Sequence, residues 1–256
     1  MGMGRVARHE APRAMKILIL GGTAEARELA NRLVELGHAV TSSLAGRTQN
    51  PTLPTGAVRL GGFGGASGLA DYLGSEGIER LVDATHPYAG TMSANAVAAA
   101  AASGVPLVRY MRPGWDQPEG ADWTHVTTAT EAAAALPAGA RVLLTTGHTG
   151  LAEFVGRSDC CLLVRLIEAP AMAMPPHARL LQDRPPYDLA AEIALLEREK
   201  ITHLVTKNSG GRQTMAKLEA AQQMDVKVIM IARPAYGPAL EVSSVEAAIT
   251  ALALNG

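Results

Sequence analysis

The stretch KILILGGTAEARELANRLVELGHAVTSSL, residues Lys16–Leu44, decides the fold of this chain. It opens with a short apolar run, Lys16–Leu20, which is too short for a helix and typical of a buried strand. Two glycines and a threonine follow. From Ala24 to about Leu36 the apolar residues then recur at helical spacing. Gly37 ends this helix, and a second strand begins directly after it. The sequence therefore predicts a strand–helix–strand unit of a parallel sheet.

Strands and helices continue to alternate along the rest of the chain. Further strands are expected at residues 57–60, 80–82, 106–110, from 141 onwards, and at 161–166, 179–181, 203–206 and 226–231. The segment Pro106–Trp115 resembles Lys227–Tyr236, and each runs through a Pro/Gly-rich turn into a short strand and a final helix. This repetition indicates an internal duplication. We predict an α/β fold with two Rossmann-like, doubly wound parallel-sheet domains.

Domain limits follow from the position of the repeat. Residues 1–14 have no continuous apolar segment and are expected to be a disordered tail. Residues 15–125 would form one domain, and residues 126–256 a second. Ligands would bind where the strands of each sheet end.

Net charge and cysteine content limit the kinds of binding partner that we expect for this chain. A formal net charge of -1 over 256 residues gives no reason to expect nucleic acid or a membrane as partner. The only cysteines, Cys160 and Cys161, are adjacent, which suits neither a stabilising disulfide nor a metal site. We therefore expect a cytoplasmic protein with no metal. The oligomeric state is left open, with a monomer among the possibilities.

The turn after the first strand has the context of a dinucleotide site. Gly21 and Gly22 would let the backbone approach a phosphate, and Thr23 would cap the following helix. Ala24 and Glu25, at the start of that helix, complete the cofactor-binding residues predicted for this turn. The third glycine of the usual G-x-G-x-x-G pattern is missing, so an ordinary strand-to-helix turn remains an alternative.

The second strand discriminates between nicotinamide cofactors. An NAD site usually has an acidic residue roughly 20 positions after the glycines. Here the region holds Ser42, Ser43 and Arg47 and no acid, which favours the 2′-phosphate of NADP. Gly62 and Phe63, in the glycine-rich run after the third strand, would lie close to the adenosine or the pyrophosphate. A flexible loop is the other interpretation of that run.

A dense polar segment follows the strand at residues 80–82. Asp83 and Pro87 can be explained as a turn residue and a helix-start residue. Thr85, His86 and Tyr88 are not explained in that way. We expect Thr85, His86 and Pro87 to line the cofactor, with His86 or Tyr88 as proton donor. A purely positioning role for both, with water as the proton source, stays open.

The second half carries a candidate anion site. Lys207-Asn208-Ser209-Gly210-Gly211-Arg212 combines charged donors with exposed backbone at a helix start, although surface turns of similar composition are common. Arginines at strand ends would add forks for carboxylates. The predicted substrate-binding residues are Tyr88, Arg109, Arg112, His148, Lys207, Asn208, Ser209, Gly210, Arg212 and Arg233.

Four motifs in this order resemble a known family. They are Gly21-Gly22-Thr23-x-Glu25-Ala26-Arg27, Asp83-Ala84-Thr85-His86-Pro87-Tyr88-Ala89, Thr146-Gly147-His148 and Lys207-Asn208-Ser209-Gly210-Gly211. From about Met15 to the C-terminus the chain resembles the precorrin-6A reductases of cobalamin biosynthesis.

The resemblance implies an NADPH-dependent enzyme that reduces one double bond of precorrin-6A and gives precorrin-6B. It also implies cofactor in the first domain, a tetrapyrrole rich in carboxylates between the domains, and exchange of strands between them. Arg112-Pro113 and Arg233-Pro234 would be the crossing points.

Two other functions stay open at this stage. One is an NADP-dependent carbonyl reductase or epimerase, although such enzymes usually want Tyr-x-x-x-Lys and Tyr88 is followed by Met92 at that spacing. The other is a non-enzymatic two-domain sensor of an anionic metabolite.

Overall fold

Two six-stranded parallel sheets organise the protein, whose computed structural model describes residues 13–46 and 52–254. The strands are β1 (Lys16–Leu20), β2 (Ala39–Leu44), β3 (Ala57–Leu60), β4 (Arg80–Asp83), β5 (Leu107–Tyr110), β6 (Trp123–Val126), β7 (Arg141–Leu144), β8 (Cys161–Leu166), β9 (Ala178–Gln182), β10 (His203–Lys207), β11 (Lys227–Ile231) and β12 (Leu240–Val242). The helices are α1 (Ala24–Glu35), α2 (Gly65–Ser75), α3 (Gly90–Ser103), α4 (Ala129–Ala134), α5 (Leu151–Val155), α6 (Leu189–Arg198), α7 (Ala216–Gln223) and α8 (Val245–Leu254), and Arg212–Thr214 forms a 3-10 turn before α7.

Both sheets have the same strand order. The first runs β12-β5-β4-β1-β2-β3 and the second β6-β11-β10-β7-β8-β9, and every pair of neighbouring strands is parallel. This is the doubly wound Rossmann order repeated, as the internal duplication predicted. Each sheet changes winding direction at its central strand, β1 or β7, where ligands of such sheets bind.

The last strand of each sheet comes from the other half of the chain. β6 follows β5 in sequence but pairs with β11, and β12 returns to pair with β5. One unit therefore consists of residues up to Met111 together with those from Gly237 onwards, and the other is Arg112–Tyr236. The expected strand exchange is confirmed. The contiguous limits 15–125 and 126–256 are wrong, because they assign both edge strands to the sheet nearer in sequence.

The core of the first unit follows from the alternation of side chains along β1. Ile17 and Ile19 pack in the cluster that includes α1 and α8, and Leu18 and Leu20 pack in the one that includes α2 and α3. None of the four is more than 1% exposed. A strand buried on both faces is uniformly apolar, which explains the sequence of β1. The rigid sheet fixes where its polar strand ends lie.

Several sequence predictions concern features other than the sheet topology. The predicted disordered tail, residues 1–14, lies mostly outside the described residues. Cys160 and Cys161 are both free thiols. Within residues 13–46 and 52–254, no helix is long and apolar enough to cross a membrane, and no three His, Cys, Asp or Glu side chains group as metal ligands.

Candidate functional site

The glycine turn joins β1 to α1 with the geometry that a phosphate site requires. Gly22 has φ +111°, and a Cβ on it would meet nothing within 4 Å. The Thr23 hydroxyl caps α1 by accepting from the Ala26 N–H (3.0 Å), and it donates to the Ala84 carbonyl (3.1 Å). Thr23 therefore ties the turn to the end of β4. The first N–H groups of α1 have no intrahelical acceptor, so an anion can bind there. Glu25 lies in this first turn, where the helix dipole favours a carboxylate.

The predicted 2′-phosphate residues are placed unequally. Ser43 lies beside the glycine turn, because its carbonyl accepts from the Gly21 N–H (2.9 Å). Ser42 pairs with Ile19 inside the sheet and is 2% exposed. Its hydroxyl has no hydrogen-bond partner in the part of the chain that the structure describes. We therefore remove Ser42 from the candidate site. Arg47 lies outside the described residues.

Arg59 is a cation at this edge that the sequence interpretation missed. It lies opposite Ser43 in the β2–β3 register. Its guanidinium stacks on the Phe63 ring, 3.9 Å from the centroid, and donates to the carbonyls of Gly61 (2.7 Å) and Gly62 (2.8 Å). One face of Phe63 is thus covered by Arg59. The feature of the sequence that could have revealed Arg59 is its position two residues before the glycine run.

A buried ion pair lies where β4 ends. Asp83 accepts from the Thr85 hydroxyl (2.7 Å), and its other oxygen lies 3.4 Å from Arg109 Nε. Arg109 also donates to the Gly237 carbonyl and to Glu241 on β12, both at 2.9 Å. Its side chain is 1% exposed. Arg109 as a substrate fork is therefore wrong: it joins β4, β5 and the exchanged strand β12.

His86 and Tyr88 lie together beyond this pair. The rings are 5.9 Å apart between centroids. The Tyr88 N–H donates to His86 Nδ1 (3.2 Å), so in the neutral imidazole the proton is on Nε2. His86 is exposed, Tyr88 is half-buried and Pro87 is buried. The strand end thus presents one imidazole N–H and one phenol.

In the second unit, two predicted substrate arginines brace the backbone instead. Arg112 Nε donates to the Ser209 carbonyl (2.7 Å). Arg233 donates to the carbonyls of Asn208 (2.7 Å) and Arg112 (2.8 Å). Asn208 uses its side-chain amide on Trp115, accepting from its N–H (2.7 Å) and donating to its carbonyl (3.1 Å). Arg112, Asn208 and Arg233 therefore hold the crossing segment to the loop after β10, which corrects their assignment as carboxylate ligands.

This brace makes Gly210 sensitive to substitution. A Cβ there would lie 2.1 Å from the Pro113 carbonyl oxygen, and φ is +67°. We expect Gly210→Ala to lower the free energy of unfolding by about 2–4 kcal/mol, since the left-handed backbone alone costs alanine about 1–2 kcal/mol. Urea titration measures this. Gly74→Ala in α2, where a Cβ meets nothing within 4 Å, is the control and should not destabilise. Equal unfolding midpoints for both variants would contradict the clash.

The remaining predicted substrate residues of the second unit differ in exposure. Arg212 and His148 are exposed, and Lys207 is half-buried at the end of β10. Burial lowers the pKa of Lys207. Ser209 is 9% exposed in the braced loop. These donors lie on the loops that follow β7 and β10, at one edge of the second sheet.

Lys217 is a second cation that the sequence interpretation missed. It lies on α7, is 4% exposed and donates to the Thr145 hydroxyl (3.3 Å). Burial lowers its pKa from 10.5 to about 7, and Arg165 acts in the same direction while Glu192 opposes it. The sequence could have indicated its burial through helical spacing. Lys217 shares one face of α7 with Ala220 and Ala221, and all three are buried.

The lowered pKa of Lys217 makes stability depend on pH. Between about 7 and 10.5 the unfolded chain binds a proton that the folded chain releases. The free energy of unfolding should therefore rise with pH in this window, by up to about 1.4 kcal/mol per unit, and be insensitive to this group below it. Urea midpoints at several pH values, compared with Lys217→Met, measure this term. Parallel curves for the two proteins would contradict it.

Comparison with known proteins agrees with this architecture. Two Rossmann-type units, the first with a glycine turn before a capped helix, place the chain in the class of doubly wound α/β proteins. Residues 16–253 match the model of the family described as precorrin-6x reductase CbiJ/CobK, and the chain belongs to this family. It is thus a reductase of cobalamin biosynthesis. This decides against the carbonyl reductase or epimerase and the non-enzymatic sensor.

Individual relatives cover nearly the whole chain. A precorrin-6A reductase of Rhodococcus erythropolis is 47% identical, over 88% of this chain and 92% of the relative. That of Rhodobacter capsulatus is 45% identical, over 86% and 88%. A cobalt-precorrin-6A reductase of Priestia megaterium is 31% identical, over 85% and 90%. The solved structure of CobK precorrin-6A reductase superposes with a TM-score of 0.89 at 43% identity, covering 94% of this chain and 97% of that one.

Proposed function

We propose that this protein reduces precorrin-6A to precorrin-6B with NADPH. The observation that carries the proposal is the 47% identity with a precorrin-6A reductase over almost its full length. The relative named for the cobalt-containing substrate is only 31% identical, which supports the metal-free macrocycle as substrate. A cytoplasmic location remains the expectation from the two free thiols.

The first unit fits the cofactor. The open space at Gly22 and the capped start of α1 suit the pyrophosphate. Ser43 and Arg47 would bind the 2′-phosphate, with Arg59 as a further cation at the same edge. NADPH, when bound, supplies the hydride. Thr85, held by Asp83, would orient the reacting part of the cofactor.

Side chains of this protein would supply the proton for the reduction and bind the carboxylates of the substrate. His86 would pass a proton from Nε2 to the carbon next to the one that receives hydride and would take up a proton from solvent in exchange. Tyr88 would position the macrocycle. His148, Lys207, Ser209 and Arg212 would bind acetate and propionate groups. One hydride and one proton saturate one double bond, so the reaction is balanced.

Cofactor choice gives a direct prediction. We expect kcat/KM to favour NADPH over NADH, and Arg47→Ala to reduce the NADPH value about 10–100-fold, because a charge-assisted contact is lost. The NADH value should stay nearly unchanged. Steady-state oxidation of each cofactor with precorrin-6A measures both. The control is Arg32→Ala, on the exposed side of α1 in an ion pair with Glu35. Equal preference in the wild type would refute NADPH specificity.

The substrate is tested by supplying metal-free and cobalt-containing precorrin-6A to the same preparation. The proposal predicts the higher kcat/KM for the metal-free form. A higher kcat/KM for the cobalt-containing form would mean that this form is the substrate, and the protein would still be a reductase.

A further inference from the structure

Lys217 is a buried cation of the second unit. Its ammonium donates to the Thr145 hydroxyl (3.3 Å) and lies 5.2 Å from the Trp115 ring centroid. No ion pair involves Lys217 among residues 13–46 and 52–254. In the described part of the chain, the amine thus contacts a hydroxyl and an aromatic face and no carboxylate.

The two charged groups that shift the pKa of Lys217 already neutralise each other. Arg165 on β8 and Glu192 on α6 form a fork with two contacts of 2.9 Å. Both side chains are at most 4% exposed. Arg165 also stacks on Tyr187, 4.3 Å from the ring centroid. The fork leaves Lys217 as an extra positive charge, which agrees with its pKa of about 7.

Such a residue is unfavourable for folding. A buried charge without a partner destabilises the fold, whereas a buried apolar side chain of similar length stabilises it. Methionine at this position would fill the same space without that cost. A buried group with a perturbed pKa near a strand end is a candidate for function rather than stability.

The position of Lys217 indicates what it acts on. Thr145 is the first residue after β7, and its N–H and hydroxyl both donate to the Val205 carbonyl of β10 (2.9 and 3.2 Å). It opens the turn that leads through His148 to Gly150. The next side chain, Thr146, is 3% exposed, and its hydroxyl has no hydrogen-bond partner within the described ranges. The ammonium thus lies beneath a turn that carries an unused donor.

We propose that Lys217 is an electrostatic positioning residue: acting through Thr145, its buried ammonium makes the Thr145–Gly150 turn attract a carboxylate of the substrate. The proposal rests on the proposed function, since it takes the ligand to be the anionic tetrapyrrole. In the low-dielectric interior the field of an uncompensated charge is weakly screened. Binding of a carboxylate at the turn would in return hold the proton on Lys217.

The test compares Lys217→Met with the wild type in the full-length protein. We expect the KM for precorrin-6A to rise about tenfold in the variant, while its kcat and its KM for NADPH stay within about twofold. Its thermal midpoint should equal or exceed that of the wild type. Lys227→Met is the control, because Lys227 is 63% exposed and begins β11 at the opposite edge of the sheet.

The pH dependence separates a charge effect from a packing effect. The wild-type KM for precorrin-6A should increase as the pH is raised through about 7, because the ammonium loses its proton. The Lys217→Met profile should be flat in that range. Thr145→Ser keeps the acceptor hydroxyl and should preserve the profile, whereas Thr145→Val should raise KM.

Three results would overturn the proposal. One is a Lys217→Met protein with wild-type KM at every pH. Another is a variant that does not fold, since Lys217 would then be a structural donor. The third concerns tryptophan fluorescence, because Trp115 contacts the amine. We expect the wild-type fluorescence to titrate near neutral pH and the Lys217→Met protein to lack that titration. A wild type without it, or a variant that keeps it, would overturn the proposal. The fluorescence needs no turnover, so a wild type that titrates but does not reduce precorrin-6A refutes the proposed function and not the buried charge.

Discussion

Replacing Arg109 with alanine is expected to lower the free energy of unfolding by about 3–5 kcal/mol. The substitution leaves the Asp83 carboxylate, 2% exposed, without its buried cation. It also removes both donor contacts to the returning segment, at Gly237 and Glu241. Urea titration measures the loss. Hydrogen exchange of β12 amides should accelerate more than that of β1, because Arg109 fastens the exchanged strand.

The control for Arg109 is an exposed ion pair. Arg13 contacts Glu79 at 2.9 Å with its side chain 83% exposed. Arg13→Ala should change the free energy of unfolding by less than about 1 kcal/mol. Equal free energies of unfolding for Arg109→Ala and Arg13→Ala would show that the buried ion pair does not hold β12 in the sheet.

Loss of the His86 imidazole is expected to reduce kcat about 100-fold or more at saturating precorrin-6A and NADPH, because general acid catalysis contributes about 10²–10⁴-fold. The KM for NADPH should change little. Tyr88→Phe keeps the ring and removes the hydroxyl, so we expect mainly a higher KM for precorrin-6A. Steady-state kinetics with each reactant varied in turn separates these effects.

The matched control is His125→Ala on β6, since His125 is exposed and lies far along the chain from the strand end at Asp83. It should leave kcat unchanged. Full turnover in both His86→Ala and Tyr88→Phe would mean that neither is the acid, and water would then be the proton source.

The architecture was predictable because its causes are local. The uniformly apolar β1, the glycine turn and the helical spacing of α1 each determine their own structure within a few residues. The Thr23 cap was predicted and is confirmed by its 3.0 Å contact with Ala26. Repetition of these patterns then predicted two similar sheets.

Side-chain roles were harder to predict, because an arginine binds a backbone carbonyl and a carboxylate with the same donors. Arg109, Arg112 and Arg233 all follow apolar runs, and only the strand exchange shows which backbone they brace. Ser42 shows the same limit. Its hydroxyl is buried inside the sheet, whereas Ser43, the next residue of the strand, lies beside the glycine turn.

Transfer of label from deuterated NADPH tests the central claim most directly. The protein is mixed with precorrin-6A and NADPH that carries deuterium at the transferable position of the nicotinamide. We expect each NADPH oxidised to place one deuterium on carbon in the tetrapyrrole product, which also gains one solvent proton. Binding of both molecules without oxidation of NADPH, or oxidation without label in the tetrapyrrole, would contradict it.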